Sequence, residues 1–202
     1  MLKNVSFLIS MLLLAQPAAI AGDAAAGKAK SVTCTACHGQ DGNGVDALPL
    51  QPRLAGQHAK YLAKQIQEYK SGKRENAIMA PMVAALSDED INDIAAYYAS
   101  LKGATGDSNP DRWDLGQRLY RAGDASKGLA ACMACHGPSG RGNPAANYPS
   151  LTGQYSAYTE AQLKAFKAEH RANDLNGVMR NISAKMTNEE IEAVSDYIEG
   201  LH

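Results

Sequence analysis

Cys34-Thr-Ala-Cys37-His38-Gly39-Gln-Asp-Gly42-Asn-Gly44 returns 98 residues later as Cys132-Met-Ala-Cys135-His136-Gly137-Pro-Ser-Gly140-Arg-Gly142. The four cysteines of the 202-residue chain all fall in these two stretches. Cys-x-x-Cys followed at once by histidine is the attachment signature of a c-type haem. The two thiols add to the haem vinyl groups, and the adjacent histidine lies under the iron. A pair of disulfides, a thioredoxin-like dithiol and a zinc site are the competing readings. A dithiol enzyme would come with a βαβ pattern, which this chain lacks. A zinc ion needs about four ligands, and a shared ion leaves the duplicated histidines unexplained.

Working outward, the repeat extends beyond the motifs. Pro52-Arg-Leu54-Ala-Gly56-Gln57 recurs as Pro149-Ser-Leu151-Thr-Gly153-Gln154, and Tyr61, Gln65, Ile66 and Tyr69 match Tyr158, Gln162, Leu163 and Phe166. A constant shift of 100 then pairs Met79 with Met179, Ser87 with Thr187, and Tyr97 with Tyr197. Upstream, Gly22-Asp23-Ala24 and Gly27 pair with Gly123-Asp124-Ala125 and Gly128. Two domains follow, 22–103 and 117–202, joined by a polar linker over 104–116. Trp113, the only tryptophan, is expected to pack at the junction.

Each half reads as all-α. Helices are expected over Asp23 to Val32, His58 to Ser71, and from Ser87, with Asp90 in its first turn; Thr187 and Glu190 repeat the last signal. Gly27 with Tyr97, and Gly128 with Tyr197, are expected to mark close helix crossings. Domains this small bury little apolar surface of their own, and an enclosed haem supplies what is missing.

Met1 to Ala21 reads as a secretory signal peptide cut after Ala21, because its apolar run is shorter than the ~20 residues of a membrane span. Removing it takes Lys3 from the 20 Lys and Arg, leaving 19 against 21 Asp and Glu and a formal charge of −2. Such a balance offers no basic face for nucleic acid.

The sixth iron ligand separates a carrier from an enzyme, and methionine there favours electron transfer. Outside the signal and the motif, Met79, Met82, Met179 and Met186 remain. Met79 and Met179 each lie eight residues before the matched cap, so the repeat selects them. Met82 stays a rival in the first half. His58 and His170 do not match in the repeat and read as surface or helix-end residues. Pro52 and Pro149 are either carbonyl partners of the proximal histidines or ordinary turn prolines. Arg74 and Arg171 are either propionate contacts or solvated helix ends.

Carried by both Cys-x-x-Cys-His-Gly motifs, the Leu-x-Gly-Gln segments, Met79 and Met179, and the closing Tyr197-Ile-x-Gly200-Leu201-His202, the chain resembles the dihaem cytochrome c4 family. The resemblance implies two tandem class I cytochrome c domains related by pseudo-twofold symmetry. It implies two covalent haem c groups, anchored by Cys34, Cys37, Cys132 and Cys135 and ligated by His38/Met79 and His136/Met179. It also implies an electron carrier of the periplasm, loosely associated with the inner membrane, between a bc1-type donor and a cbb3-type terminal oxidase. A dihaem peroxidase and a haem-bearing subunit of a dehydrogenase are the alternatives.

Overall fold

A computed structural model describes residues 22–202; the signal-peptide reading falls on residues 1–21, outside the described residues. Among the described residues every extended helix is flanked by loops, and only two isolated β-bridges occur. No helix there is long and apolar enough to cross a membrane.

The first half runs α1 (Ala24–Lys30), α2 (Thr35–His38), α3 (Ala59–Lys70), α4 (Met79–Val83) and α5 (Asp88–Ser100). The second runs α6 (Trp113–Ala122), α7 (Met133–His136), α8 (Ser156–Lys167), α9 (Val178–Ser183) and α10 (Asn188–Glu199). In each half the last helix is the axis of packing: α5 lies against α1 and α3, and α10 against α6 and α8. The cores follow the same plan. Leu62, Ile94, Ala95, Tyr97 and Tyr98 form one; Leu119, Tyr120, Leu163, Ile191, Val194 and Tyr197 are central to the other.

Both axis helices open on a capping box. Ser87 Oγ accepts from the Asp90 N–H while Asp90 Oδ2 accepts from the Ser87 N–H; Thr187 and Glu190 do the same. Each box satisfies two of the otherwise unpaired N–H groups at a helix start. Asp23 caps α1 with its side chain, taking the Ala25 and Ala26 N–H groups.

The two halves differ where the chain enters. Gly27 lies over the α5 backbone, where a Cβ would overlap the Asp93 carbonyl. The equivalent crossing in the second half is made by Gly116, whose Cβ would overlap the Ala193 carbonyl and crowd Tyr197 Cβ. Gly128, the glycine expected there, instead sits in a left-handed turn with only the Lys185 ammonium nearby. The matching Gly-Asp-Ala stretches are therefore not structural equivalents. Nine extra residues separate the crossing glycine from the first haem-motif cysteine in the second half. They form a turn closed by paired Asp124 and Leu129 backbone bonds, with Leu129 buried in the core.

Accordingly the linker expected through Gly116, and a second domain starting at 117, differ from the observed layout. Helix α6 already begins at Trp113, and Gly116 is buried in it. The connection before it runs along α10: the Gly106 N–H bonds the Glu199 carbonyl at 3.2 Å, and the Asn109 N–H bonds Asp196 at 2.8 Å. Trp113 packs edge-on against Tyr197 at 5.0 Å, as part of the second core's cover.

Candidate functional site

The two motif helices are built alike. α2 ends on His38 and α7 on His136, and each is stopped by a glycine of positive φ, Gly39 or Gly137. Such a conformation is open to glycine without steric cost. The chain then doubles back. The Gly44 N–H bonds the His38 carbonyl at 2.8 Å, and the Gly142 N–H bonds the His136 carbonyl at 2.8 Å. The Gly42 carbonyl takes the Leu54 and Ala55 N–H groups, and Gly140 takes Leu151 and Thr152. These bonds hold the prolyl segment against the motif helix.

That placement settles the role of the prolines. His38 Nδ1 lies 2.8 Å from the Pro52 carbonyl and His136 Nδ1 lies 3.0 Å from the Pro149 carbonyl. A carbonyl only accepts, so Nδ1 carries the proton and Nε2 keeps a lone pair. Both histidines are buried, at 6% and 7% exposure. Burial pushes their pKa values down, outweighing the opposing effect of the prolyl carbonyls. The neutral imidazole, the metal-binding form, is thereby favoured.

All four cysteines are unpaired thiols, half-buried beside these helices. Burial raises the Cys34 pKa and pushes Cys132 up to about 11. Cys34 and Cys132 pack against their respective cores. This donor set fits a covalently attached haem in each half: a pair of thiols and one oriented, neutral imidazole.

The methionines separate by environment. Met79 opens α4 and is half-buried; Met179 lies in the first turn of α9 and packs against the second core. Met186 is 3% exposed inside that core, whereas Met82 is 49% exposed. His58 sits at the N-cap of α3 with Nε2 2.8 Å from the Arg141 carbonyl, and His170 is exposed.

Sequence reasoning missed how the halves meet. Arg74 and Arg171 are not solvated ends; they are 6% and 8% exposed, at the centre of the seam. Arg74 donates to Gln65 in its own half and to Tyr158 and Gln162 across the seam, at 2.7–3.1 Å. Arg171 reciprocates with Gln162 in its own half and Tyr61 and Gln65 across it, at 2.8–3.1 Å. Each guanidinium also lies over a ring of its own half, Tyr69 at 4.6 Å and Phe166 at 4.4 Å. The signal was present: two arginines, each four residues beyond a matched helix, with matched glutamines and tyrosines one or more turns earlier. A burial partner for such a charge is not written in a single chain's periodicity.

Glu68 closes the seam. It accepts from Lys64 and from Asn173 Nδ2, both at 2.6 Å, and pairs with Lys73 at 3.2 Å. Burial alone would raise its pKa, but these donors outweigh it and hold the carboxyl below the ordinary value of 4.5. The unfolded chain therefore takes up a proton that the folded protein resists. The contribution to stability is present above about pH 4.5 and fades as the pH falls through it. Glu68→Gln is expected to flatten the acid limb of stability below that point, measured by urea unfolding at stepped pH.

The cytochrome c family model matches the chain twice, over residues 24–102 and 114–202. Cytochrome c4 of Stutzerimonas stutzeri is 44% identical over 96% of this chain and 98% of its own. A protein of Thiomonas intermedia called thiosulfate dehydrogenase electron acceptor is 38% identical over 86% of this chain and 81% of its own. The crystal structure of reduced recombinant cytochrome c4 from Pseudomonas stutzeri superposes with a TM-score of 0.87 at 45% identity, covering 90% of this chain and all of the other.

Proposed function

The chain belongs to the cytochrome c family, as a dihaem electron carrier of the cytochrome c4 type, and from that premise we propose which residues hold its two haem c groups and where it works. Cys34 and Cys37 anchor one group and Cys132 and Cys135 the other. His38 and Met79 would ligate the first iron, and His136 and Met179 the second. Bound there, the haem iron supplies a one-electron ferrous–ferric couple.

The chain's own residues do the rest. The Pro52 and Pro149 carbonyls fix the tautomer and angle of the two imidazoles. That support strengthens the Nε2 donor. With a histidine and a methionine of the chain on each iron, no position would be left for a substrate, in keeping with a carrier rather than an enzyme. The observation that carries this reading is the duplicated build: the same motif helix, glycine turn and prolyl acceptor occur twice.

The test is a haem count by pyridine haemochrome with a redox titration. Two haems per chain and two one-electron steps are expected; a single haem sinks the reading.

The signal reading at residues 1–21 supports export to the periplasm, with loose attachment to the inner membrane. The family supports a route from a bc1-type donor towards a cbb3-type terminal oxidase. Similarity to the thiosulfate dehydrogenase electron acceptor of Thiomonas intermedia favours a second donor, a periplasmic dehydrogenase. Reduction by bc1-containing membranes, compared with reduction by a purified dehydrogenase and its substrate, separates the two.

A further inference from the structure

Gln57 and Gln154 close the matched Leu-x-Gly-Gln segments, and neither is among the residues proposed above to hold a haem. Both side chains cross the seam. Gln57 Nε2 donates to the Ser150 carbonyl at 2.8 Å, and its Oε1 accepts from the Ser150 N–H at 2.9 Å. Gln154 Nε2 donates to the Arg53 carbonyl at 2.9 Å, and its Oε1 accepts from the Arg53 N–H at 2.9 Å. Each Oε1 also takes the N–H of the residue after its own, His58 or Tyr155, which pins the amide in place.

Arg53 and Ser150 directly follow Pro52 and Pro149. The Pro52–Arg53 peptide group therefore accepts from His38 on its carbonyl side and donates to Gln154, in the other half, on its N–H side. The Pro149–Ser150 group does the same between His136 and Gln57. Hydrogen bonds at the two ends of one amide strengthen each other, because donation from N–H pushes electron density onto the carbonyl oxygen. A stronger carbonyl acceptor draws the imidazole proton and makes Nε2 a better donor to a metal, favouring the ferric state.

We infer that each glutamine is a positioning residue for the opposite haem, Gln154 setting the potential of the first half's haem through His38 and Gln57 that of the second through His136. The inference rests on the reading that these histidines are the axial ligands.

The experiment is a crossed pair of variants in the full-length holoprotein, Gln154→Met and Gln57→Met. Both keep the length of the side chain and remove its acceptor. Each redox step is assigned to its haem by the paramagnetically shifted proton resonances. Gln154→Met is expected to raise the potential of the haem on Cys34 and Cys37. At fixed poise its ferrous-to-ferric ratio rises roughly two- to fivefold, the second haem being unmoved. Gln57→Met is expected to do the reverse. A seam that merely loosened would move both haems alike in both variants, and that result overturns the inference. So does a shift confined to the haem of the glutamine's own half, or no shift at all. If Gln154→Met does not fold, Gln154→Glu serves instead. It keeps and strengthens the acceptor facing Arg53, so the first haem's potential falls; a rise overturns the inference. Wild-type protein lacking two His-ligated haems would defeat the underlying reading; intact ligation with unmoved potentials defeats the inference alone.

Discussion

Valine at Gly27 destabilises the first half by more than about 3 kcal/mol, and valine at Gly116 does the same to the second. In both cases the added carbons meet backbone rather than a yielding side chain: the Asp93 carbonyl for Gly27, the Ala193 carbonyl for Gly116. Relief requires α1 to lift from α5, or α6 from α10, and these are the principal helix contacts of each half. Gly128→Asn is the control. Its backbone is left-handed at φ +61°, which asparagine tolerates, and only the end of Lys185 is near. The expected cost there is within about 1 kcal/mol. Thermal unfolding followed by the visible absorption of the holoprotein reads all three. Equal damage from Gly128→Asn and Gly116→Val would mean that the helix crossing has been assigned to the wrong glycine.

The second large effect concerns the methionines. Met79→Ala and Met179→Ala are each expected to remove the methionine-to-iron charge-transfer absorption of one haem and to lower the potential of that haem alone. Met82→Ala is expected to change neither, since its side chain is half in solvent. Met186→Ala separates ligation from packing. This residue is sealed in the second core beside Leu119, Ile191 and Val194. Its truncation is expected to cost about 2–5 kcal/mol of stability while leaving the charge-transfer band in place. Loss of the band on replacing Met82, with Met79→Ala silent, would transfer the first distal ligand to Met82.

Much of this was legible in the chain, for reasons that differ from place to place. The cap residues Ser87 and Thr187 announce their helices because a capping box is a local bond between residues three apart. The motif helices are legible because covalent haem chemistry demands one spacing. The repeat pairs Met79 with Met179 because both halves keep the same eight-residue spacing from there to the cap. That same device misled at the chain entry: Gly-Asp-Ala recurs by composition, while nine inserted residues move the true helix crossing to Gly116. A single-sequence alignment rewards identity of letters, and a helix crossing is selected by what lies across it. The seam was the least legible part. Arg74 and Arg171 carry charge, which argues for solvent until the opposite half supplies tyrosine and glutamine oxygens to receive them. Such partners lie 84 to 110 residues away in sequence, beyond any local pattern.

The seam has one more property. The glutamine and arginine bonds in it occur twice with the halves exchanged: Gln57 with Ser150 and Gln154 with Arg53, Arg74 with Tyr158 and Arg171 with Tyr61. A surface of this kind is complementary to its own image, which is the condition for an isologous contact between two identical copies. Joining the copies in one chain leaves the contact unchanged and alters only how often its faces meet. A short connection such as the one after residue 103 holds them at an effective concentration in the millimolar range. At that concentration a set of modest polar bonds suffices to keep the two halves together, where separate copies would need a tighter or more apolar face.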